Sequence, residues 1–498
     1  YPLFVGTTPY FDPLYWATRA AYFVHTGLTG VPSFLAGGSG DWIRERSFEF
    51  IMGAFSMIGN VSVVDTTIWF GPLTGIMASI MLLAVLERLG ISLSGKVVAL
   101  FLFVSMSPLF ELFWRTDITI MQVIGTYFLF LGLYLCMSRE VGSFLSGMFI
   151  LGLSMDVHIL YGIYTPFIFI LVLFVQLFKR QSAITTVAAV PVYALGLMLF
   201  AWRFVERGVP SGFTPALVSH NAVPLAMQTT IPLLALQLTY PDPAYMVFYV
   251  TPLIAALAIV GLAGTAIGRE WELSPLVLFA FILGIFAGWV LSTVYFSFDP
   301  ASAEIFRGRG VAYAQAILIP AAGLGISTIE RSLSRSTALI SPGRVVALVV
   351  VVLIVVTNAT GVVSTSRYTS VMGQNDFDAI RYVGQQGNNS KLMFVAHPNP
   401  QDPYANASSS QRIALLYSEN PSIYDNSRSP HREQISNSTS VLQTAIQSER
   451  GAYNYVILGQ NLGYNDRNTL DNFLRSSGYV FIKKFGDAYV YKATFRVT

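Results

Sequence analysis

Runs of about twenty apolar residues, broken by charged, proline or glycine punctuation, follow one another from residue 66 to residue 362. A bilayer's hydrocarbon core is about 30 Å thick, and a helix rising about 1.5 Å per residue needs roughly 20 apolar residues to cross it. The pattern therefore predicts ten membrane-spanning helices, near 66–86, 94–110, 118–137, 142–157, 159–178, 183–203, 245–267, 274–295, 310–326 and 345–362. Past residue 363 the pattern turns polar, with no further run long enough to span, and predicts a soluble domain over 363–498. In that domain 376–386 and 468–474 read as helices and 391–396 and 453–458 as buried strands. Residues 479–493 read as a hairpin turning at Phe485-Gly486-Asp487, which makes the domain α/β or α+β. The Ser/Asn-rich stretch 399–439 between these elements reads as loop with short elements. The chain is thus expected to have three parts: a first extracytoplasmic loop with surface helices (1–65), a transmembrane helical domain (66–362) and an extracytoplasmic α/β domain (363–498).

An even number of spans sorts the connections into two sets. One is mostly short and net basic (87–96, 138–140, 179–181, 268–272 and 331–344), with Lys179, Arg180, Arg331, Arg335 and Arg344, and is assigned to the cytoplasm because basic loops stay inside. The other is mostly longer and rich in acidic, aromatic and proline residues (1–65, 111–117, 203–244 and 296–309). Sequons beginning at Asn60, Asn388, Asn406 and Asn437 fall on this second, extracytoplasmic side. Tyr1 to Tyr10 show no basic segment leading into an apolar core, and a first membrane helix is expected upstream of Tyr1.

Composition agrees with a membrane protein: 53% of the 498 residues are hydrophobic, 11% are charged, and the mean hydropathy is +0.56. The net charge of +3, from 30 basic and 27 acidic residues, lacks the basic excess that nucleic-acid binding needs. The single cysteine, Cys136, lies in an apolar run, so neither a disulfide nor a thiolate metal site can be built. There is no Walker loop, zinc-binding His pair, nucleophile elbow or dinucleotide turn, which argues against ATP hydrolysis.

The charged residues beside the apolar runs carry the candidate chemistry. Asp12, in Thr8-Pro9-Tyr10-Phe11-Asp12-Pro13, faces the membrane surface from outside; it is either a general base or metal ligand, or an N-cap before proline. Arg115 and Asp117 close a very short loop between two spans. Asp117 could share a divalent ion with Asp12 and Arg115 could hold a phosphate oxygen, or the two could simply mark a helix end. Asp156 and His158 sit at the break between two apolar runs, where an ionisable group is a functional candidate because burying it unpaired is costly. A lone histidine is also often a structural residue satisfied by its neighbours. Arg307 and Arg309, beside Gly308 and Gly310 ahead of a span, suit a lipid phosphate or diphosphate, with interfacial anchoring as the plainer reading. The long loop 203–244 holds Glu206, Arg207, His220 and Asp242 and reads as a lid or binding element.

Together these segments resemble the GT-C superfamily of membrane glycosyltransferases, relatives of protein O-mannosyltransferases, aminoarabinose transferases and oligosaccharyltransferase catalytic subunits. The resemblance covers most of the chain. It rests on Asp12 in Phe-Asp-Pro-Leu-Tyr-Trp, a surface helix from Phe48 to Ile58 ending in Gly59, and Ser107-Pro108-Leu109-Phe110 leading to Arg115-Thr116-Asp117. It also rests on Met155-Asp156-Val157-His158 before Tyr161-Gly162, and on Arg307-Gly308-Arg309. The resemblance implies a polytopic GT-C-like fold with a helix ahead of Tyr1 and a polyprenyl- or dolichyl-phosphate sugar donor. It further implies inverting transfer to an extracytoplasmic glycan, lipid or protein acceptor, with Asp12 as base. Asp117 becomes the second acidic residue, with Mg²⁺ or Mn²⁺ between the two if the reaction uses a metal. Arg115, Arg307, Arg309, His158 and Asp156 fall on the donor-phosphate side. The chain departs from oligosaccharyltransferase catalytic subunits in lacking a Trp-Trp-Asp-Tyr-Gly motif. A catalytically silent relative serving as a subunit of a membrane assembly is the second reading. A transporter, which calls for charges inside spans and inverted repeats, ranks last.

Overall fold

A computed structural model of the protein describes residues 17, 19–21, 23, 24, 47–109, 121–179, 183–207, 247–268, 272–295, 300–333, 345, 348–352, 374–386, 391–397 and 431–497. The chain divides into two compact units, one of Gly71–Thr365 and one of Tyr1–Phe70 with Ser366–Thr498. Ten helices are described up to residue 333: α1 (Ser47–Gly59), α2 (Val63–Arg88), α3 (Leu93–Leu109), α4 (Met121–Cys136), α5 (Val141–Val157), α6 (Ile159–Phe178), α7 (Ala183–Arg207), α8 (Val247–Ile267), α9 (Leu273–Tyr295) and α10 (Pro300–Leu333).

Three stretches among the described residues, Trp69–Arg88, Tyr161–Phe178 and Ile184–Ala201, are long and apolar enough to cross a membrane. This falls short of the ten spans expected. The apolar stretches of α3, α4, α5, α8 and α9 are shorter, and α3, α4 and α5 hold only 17, 16 and 17 residues, about 25 Å each. The outside of the helices is nevertheless apolar, with Phe174, Ile184, Met198 and Ile259 all exposed. Water does not tolerate such a surface, whereas hydrocarbon does.

Inside the unit the helices meet along glycine seams. A β-carbon on Gly152 of α5 would strike the backbone of α7 at Tyr193 and Gly196, and one on Gly196 would strike α5. Gly284 and Gly288 of α9 lie against the backbone of α6 at Ile168 and Tyr164 in the same way, and Gly261 and Gly325 join α8 to α10. Because lipid gives no hydrophobic drive for association, close backbone approach and the dispersion contacts it allows must hold the helices together. The longest helix, α10, packs against α3, α4, α6, α8 and α9.

One expectation is corrected here. Residues 296–309 read as a loop with flexible glycines, yet Ala301 to Gly310 form the opening turns of α10, starting from Pro300. Proline suits a helix's first turn, where its missing N–H has no partner to lose, and Ala-Ser-Ala-Glu continues the helix well enough to carry Gly308 and Gly310. Similarly, 203–207, expected in a loop, complete α7.

The C-terminal domain contains α11 (Gln374–Gly384), β1 (Leu392–Ala396), β2 (His431–Ile435), α12 (Thr439–Ser448), β3 (Tyr455–Leu458), α13 (Tyr464–Ser476), β4 (Tyr479–Phe485) and β5 (Ala488–Ala493). The strands form one sheet in the order β2-β1-β3-β5-β4, in which β2, β1 and β3 run parallel and β5 runs antiparallel to β3 and β4. β1 and β3 are apolar at every position because both faces are covered. Leu392, Phe394, Tyr455 and Ile457 face Phe377, Ile380 and Val383 of α11, while Met393, Val395, Val456 and Leu458 face Leu442 and Ile446 of α12 and Leu470 and Leu474 of α13. The hairpin turns where expected, with Gly486 at φ +51°. β2 and the full α12 were not anticipated. His-Arg-Glu-Gln-Ile has little strand character of its own and becomes a strand by pairing with the edge of β1.

Candidate functional site

Helices α5 and α6 are separated by one residue, His158, whose extended backbone (φ −153°, ψ 110°) ends the first helix and precedes the second. Its N–H still bonds the Ser154 carbonyl at 2.9 Å and its carbonyl accepts from Gly162 at 2.9 Å, so the break costs few backbone bonds. The His158 side chain makes no cap bond to the start of α6, and the positive end of this 20-residue helix lies at the break. His158 is 2% exposed and Asp156, in the last turn of α5, is 8% exposed.

The partner of His158 comes from α10. Its Nδ1 and the Tyr313 hydroxyl share a hydrogen bond of 2.7 Å, which satisfies two polar groups in an apolar interior. Tyr313 is fully buried, stacked on Tyr161 at 5.4 Å between ring centres and met edge-on by Tyr164 at 6.2 Å. Its hydroxyl lies in the space that a side chain on Gly125 of α4 would take. Helices α4 and α6 and the α5–α6 break therefore converge on this tyrosine of α10.

Of the residues singled out from the sequence, the structure brings His158 together with α10, whose opening turns contain Arg307 and Arg309. Arg309 precedes Tyr313 by four residues, one helical turn or about 6 Å along the axis. Asp156 lies two residues before His158. Asp12, Arg115 and Asp117 lie outside the described residues, as do His220 and Asp242. Among the described residues no three His, Cys, Asp or Glu side chains gather where a metal ion could sit. Sequence reading missed Tyr313, since a tyrosine in an apolar helix carries no signal of its partner. The spacing of Tyr161 and Tyr164 on one face of α6 and Gly125 near the start of α4 were the available hints.

A second polar cluster occupies the carboxyl ends of the parallel strands in the C-terminal domain. His397, just after β1, bonds the Ser436 carbonyl through Nδ1 at 2.7 Å and pairs with Asp466 through Nε2 at 3.3 Å. Thr439 donates its hydroxyl to the other Asp466 oxygen at 2.5 Å. The Thr439 bond, and after it His397, hold the Asp466 carboxyl below the usual carboxylate range. Nearby, buried Asp376 accepts the Gln460 N–H at 2.7 Å, and burial pushes its carboxyl up to about 7 despite that bond and the neighbouring Arg467.

No protein-family profile matches the chain, and no curated protein matches it. Solved structures do. The oligosaccharyltransferase of Archaeoglobus fulgidus in its apo form superposes with a TM-score of 0.51 at 8% identity, over 92% of this chain and 67% of that one. ArnT from Cupriavidus metallidurans in the apo state superposes with a TM-score of 0.50 at 9% identity, over 98% of this chain and 95% of that one. Both are GT-C membrane proteins. The chain has the GT-C fold. The Archaeoglobus enzyme has also been solved with a tethered acceptor peptide containing an NVT sequon and in a complex with Zn and sulfate, each with a TM-score of 0.50 at 10% identity. At these identities the likeness to GT-C proteins is one of fold, and it spans both the helices and the C-terminal domain.

Proposed function

We propose that the chain is a membrane glycosyltransferase that moves a sugar from a polyprenyl- or dolichyl-phosphate donor to an extracytoplasmic glycan, lipid or protein acceptor. The observation that carries this reading is the meeting of His158 with the arginine-bearing half of α10 inside a GT-C fold. A histidine at a helix start, beside a helix with two arginines in its opening turns, is the arrangement an anionic phosphate selects.

In this reading Asp12 removes the proton from the acceptor hydroxyl. The resulting oxygen attacks the anomeric carbon on the face opposite the phosphate, the carbon–oxygen bond to the phosphate breaks, and the configuration inverts. Arg307, Arg309, His158 and Arg115 stabilise the charge on the departing lipid phosphate, with Asp156 orienting this side of the site. Asp117 is the second acidic residue, and Asp12 and Asp117 are the pair that would hold Mg²⁺ or Mn²⁺ and let it neutralise phosphate charge. The ten-span arrangement, the boundaries at 65 and 362 and an extracytoplasmic C-terminal domain belong to the same proposal. The acceptor peptide on the Archaeoglobus enzyme is in keeping with a protein acceptor.

The test is transfer by the purified full chain in lipid nanodiscs, using polyprenyl-phosphate sugars and a panel of acceptors. Asp12→Asn is expected to lower turnover by a factor of about 10² to 10⁴ while leaving donor binding in place. An Asp12→Asn enzyme as active as the wild type would remove Asp12 as the base. A wild-type chain that binds no lipid phosphate and transfers no sugar would leave the silent membrane subunit as the better reading.

A further inference from the structure

Two polar side chains in an apolar helical interior each lose their hydration, so a His–Tyr pair persists there only at a cost that an apolar pair would avoid. His158 and Tyr313 form such a pair at 2% and 0% exposure, from segments 155 residues apart in sequence. The surroundings leave Tyr313 little freedom: Tyr161 covers one ring face, Tyr164 meets the ring edge-on, and the hydroxyl fills the space that a β-carbon on Gly125 of α4 would need. The bond also joins two particular places. One is the α5–α6 break at the start of α6, to which the His158 side chain makes no cap bond, and the other is the point on α10 one turn beyond Arg309.

We infer that Tyr313 is a positioning residue for an isoprenoid-phosphate site, its hydroxyl fixing the His158 ring and holding the arginine-bearing turns of α10 in register with the start of α6. The inference rests on the proposed reading of the chain as a lipid-phosphate-dependent transferase and names the residue that sets that site's geometry. Tyr313 touches no donor atom in this account. It acts through His158 and through the helix that carries Arg307 and Arg309. A phosphate bound here is gripped by groups from three segments, so its affinity depends on their relative placement, whereas the isoprenoid tail depends on apolar surface alone.

The experiment compares binding of dolichyl phosphate and of uncharged dolichol by the full chain in nanodiscs. In the wild type, phosphate is expected to be preferred over alcohol. Tyr313→Phe, which removes one oxygen and keeps the ring stack, is expected to weaken dolichyl phosphate binding about fivefold, the worth of one buried hydrogen bond. Dolichol binding should stay as it was. A purely structural role for Tyr313 would lower both together, and that outcome, or an unchanged preference in Tyr313→Phe, overturns the inference. Gly125→Ala, which forces the hydroxyl away from its place with the hydroxyl still present, is expected to reproduce the loss and serves where Tyr313→Phe does not fold. The double variant Arg307→Ala/Arg309→Ala separates the two claims. If it abolishes the phosphate preference while Tyr313→Phe does not, only the positioning role falls. If the wild type shows no preference for the phosphate, the donor reading falls and the inference with it.

Discussion

Asp376 is 2% exposed in the first turn of α11, where a single backbone N–H from Gln460 and the nearby Arg467 do not compensate for lost hydration, so burial carries its carboxyl up to about 7. A folded-state value above the unfolded one means that the folded domain binds the extra proton. The stabilisation is therefore complete below about pH 4 and is lost as the pH rises towards 7, by an amount on the order of a few kcal/mol. Asp376→Asn, which can still accept the Gln460 N–H, is expected to abolish that decline. Hydrogen exchange in β1 and β3 of the full chain at pH 5 and pH 8 measures it, and equal slopes in the two proteins would contradict the assignment. Asp466 has the opposite sign. Held below the carboxylate range chiefly by Thr439, it contributes stability above that range and loses it as the pH falls through its lowered value. Thr439→Val is expected to bring that acid loss to a higher pH, read from the Asp466 carboxyl resonance in isotope-labelled protein. Neither shift is visible in the sequence, where Asp376 opens an expected helix and Asp466 stands just ahead of another, both looking like ordinary acids. Their differing fates follow from what other elements place beside them.

Among the elements, the glycine seams make a sharper claim than the apolar runs. Gly325 of α10 lies directly on the backbone of α8 at Leu257, so Gly325→Ala must push two helices apart. It is expected to cost about 1–3 kcal/mol, seen as a lower unfolding midpoint in detergent. Gly142, in the first turn of α5, has nothing within 4 Å of the position its β-carbon would take, and Gly142→Ala is expected to be neutral or slightly stabilising. A similar loss from both substitutions would indicate that helix flexibility, rather than close approach, governs these sites. Sequence reading found most helices because an apolar run of fixed length is a local property. It misjudged the start of α10, where glycines and arginines look like a loop, and it missed β2, whose polar residues become a strand by lying against β1. The start of α10 follows local helix signals, Pro300 and Ala-Ser-Ala-Glu, which outweigh its glycines, whereas β2 depends on pairing with a strand distant in sequence, which periodicity does not record.

For the molecule as a whole, the chain's single cysteine, fully buried in α4, allows a direct test of orientation. A cysteine replacing exposed Tyr464 of the C-terminal domain is expected to react with a membrane-impermeant maleimide from outside intact cells. One replacing exposed Arg139, in the turn between α4 and α5, is expected to react only after permeabilisation. The reverse pattern would invert the proposed topology. The sequence by itself determined that most of the chain is apolar helix, that the last part holds α/β elements with a hairpin at Gly486, and that the chain resembles GT-C proteins, because composition, run length and turn chemistry are written residue by residue. It also marked His158 as unusual, since a histidine between two apolar runs stands out locally. Only the tertiary structure decided that His158 meets Tyr313 and that glycines lying against helices two or three places away in the chain hold the unit together. Those facts depend on which surfaces meet when the chain packs, and packing joins residues that no local pattern relates.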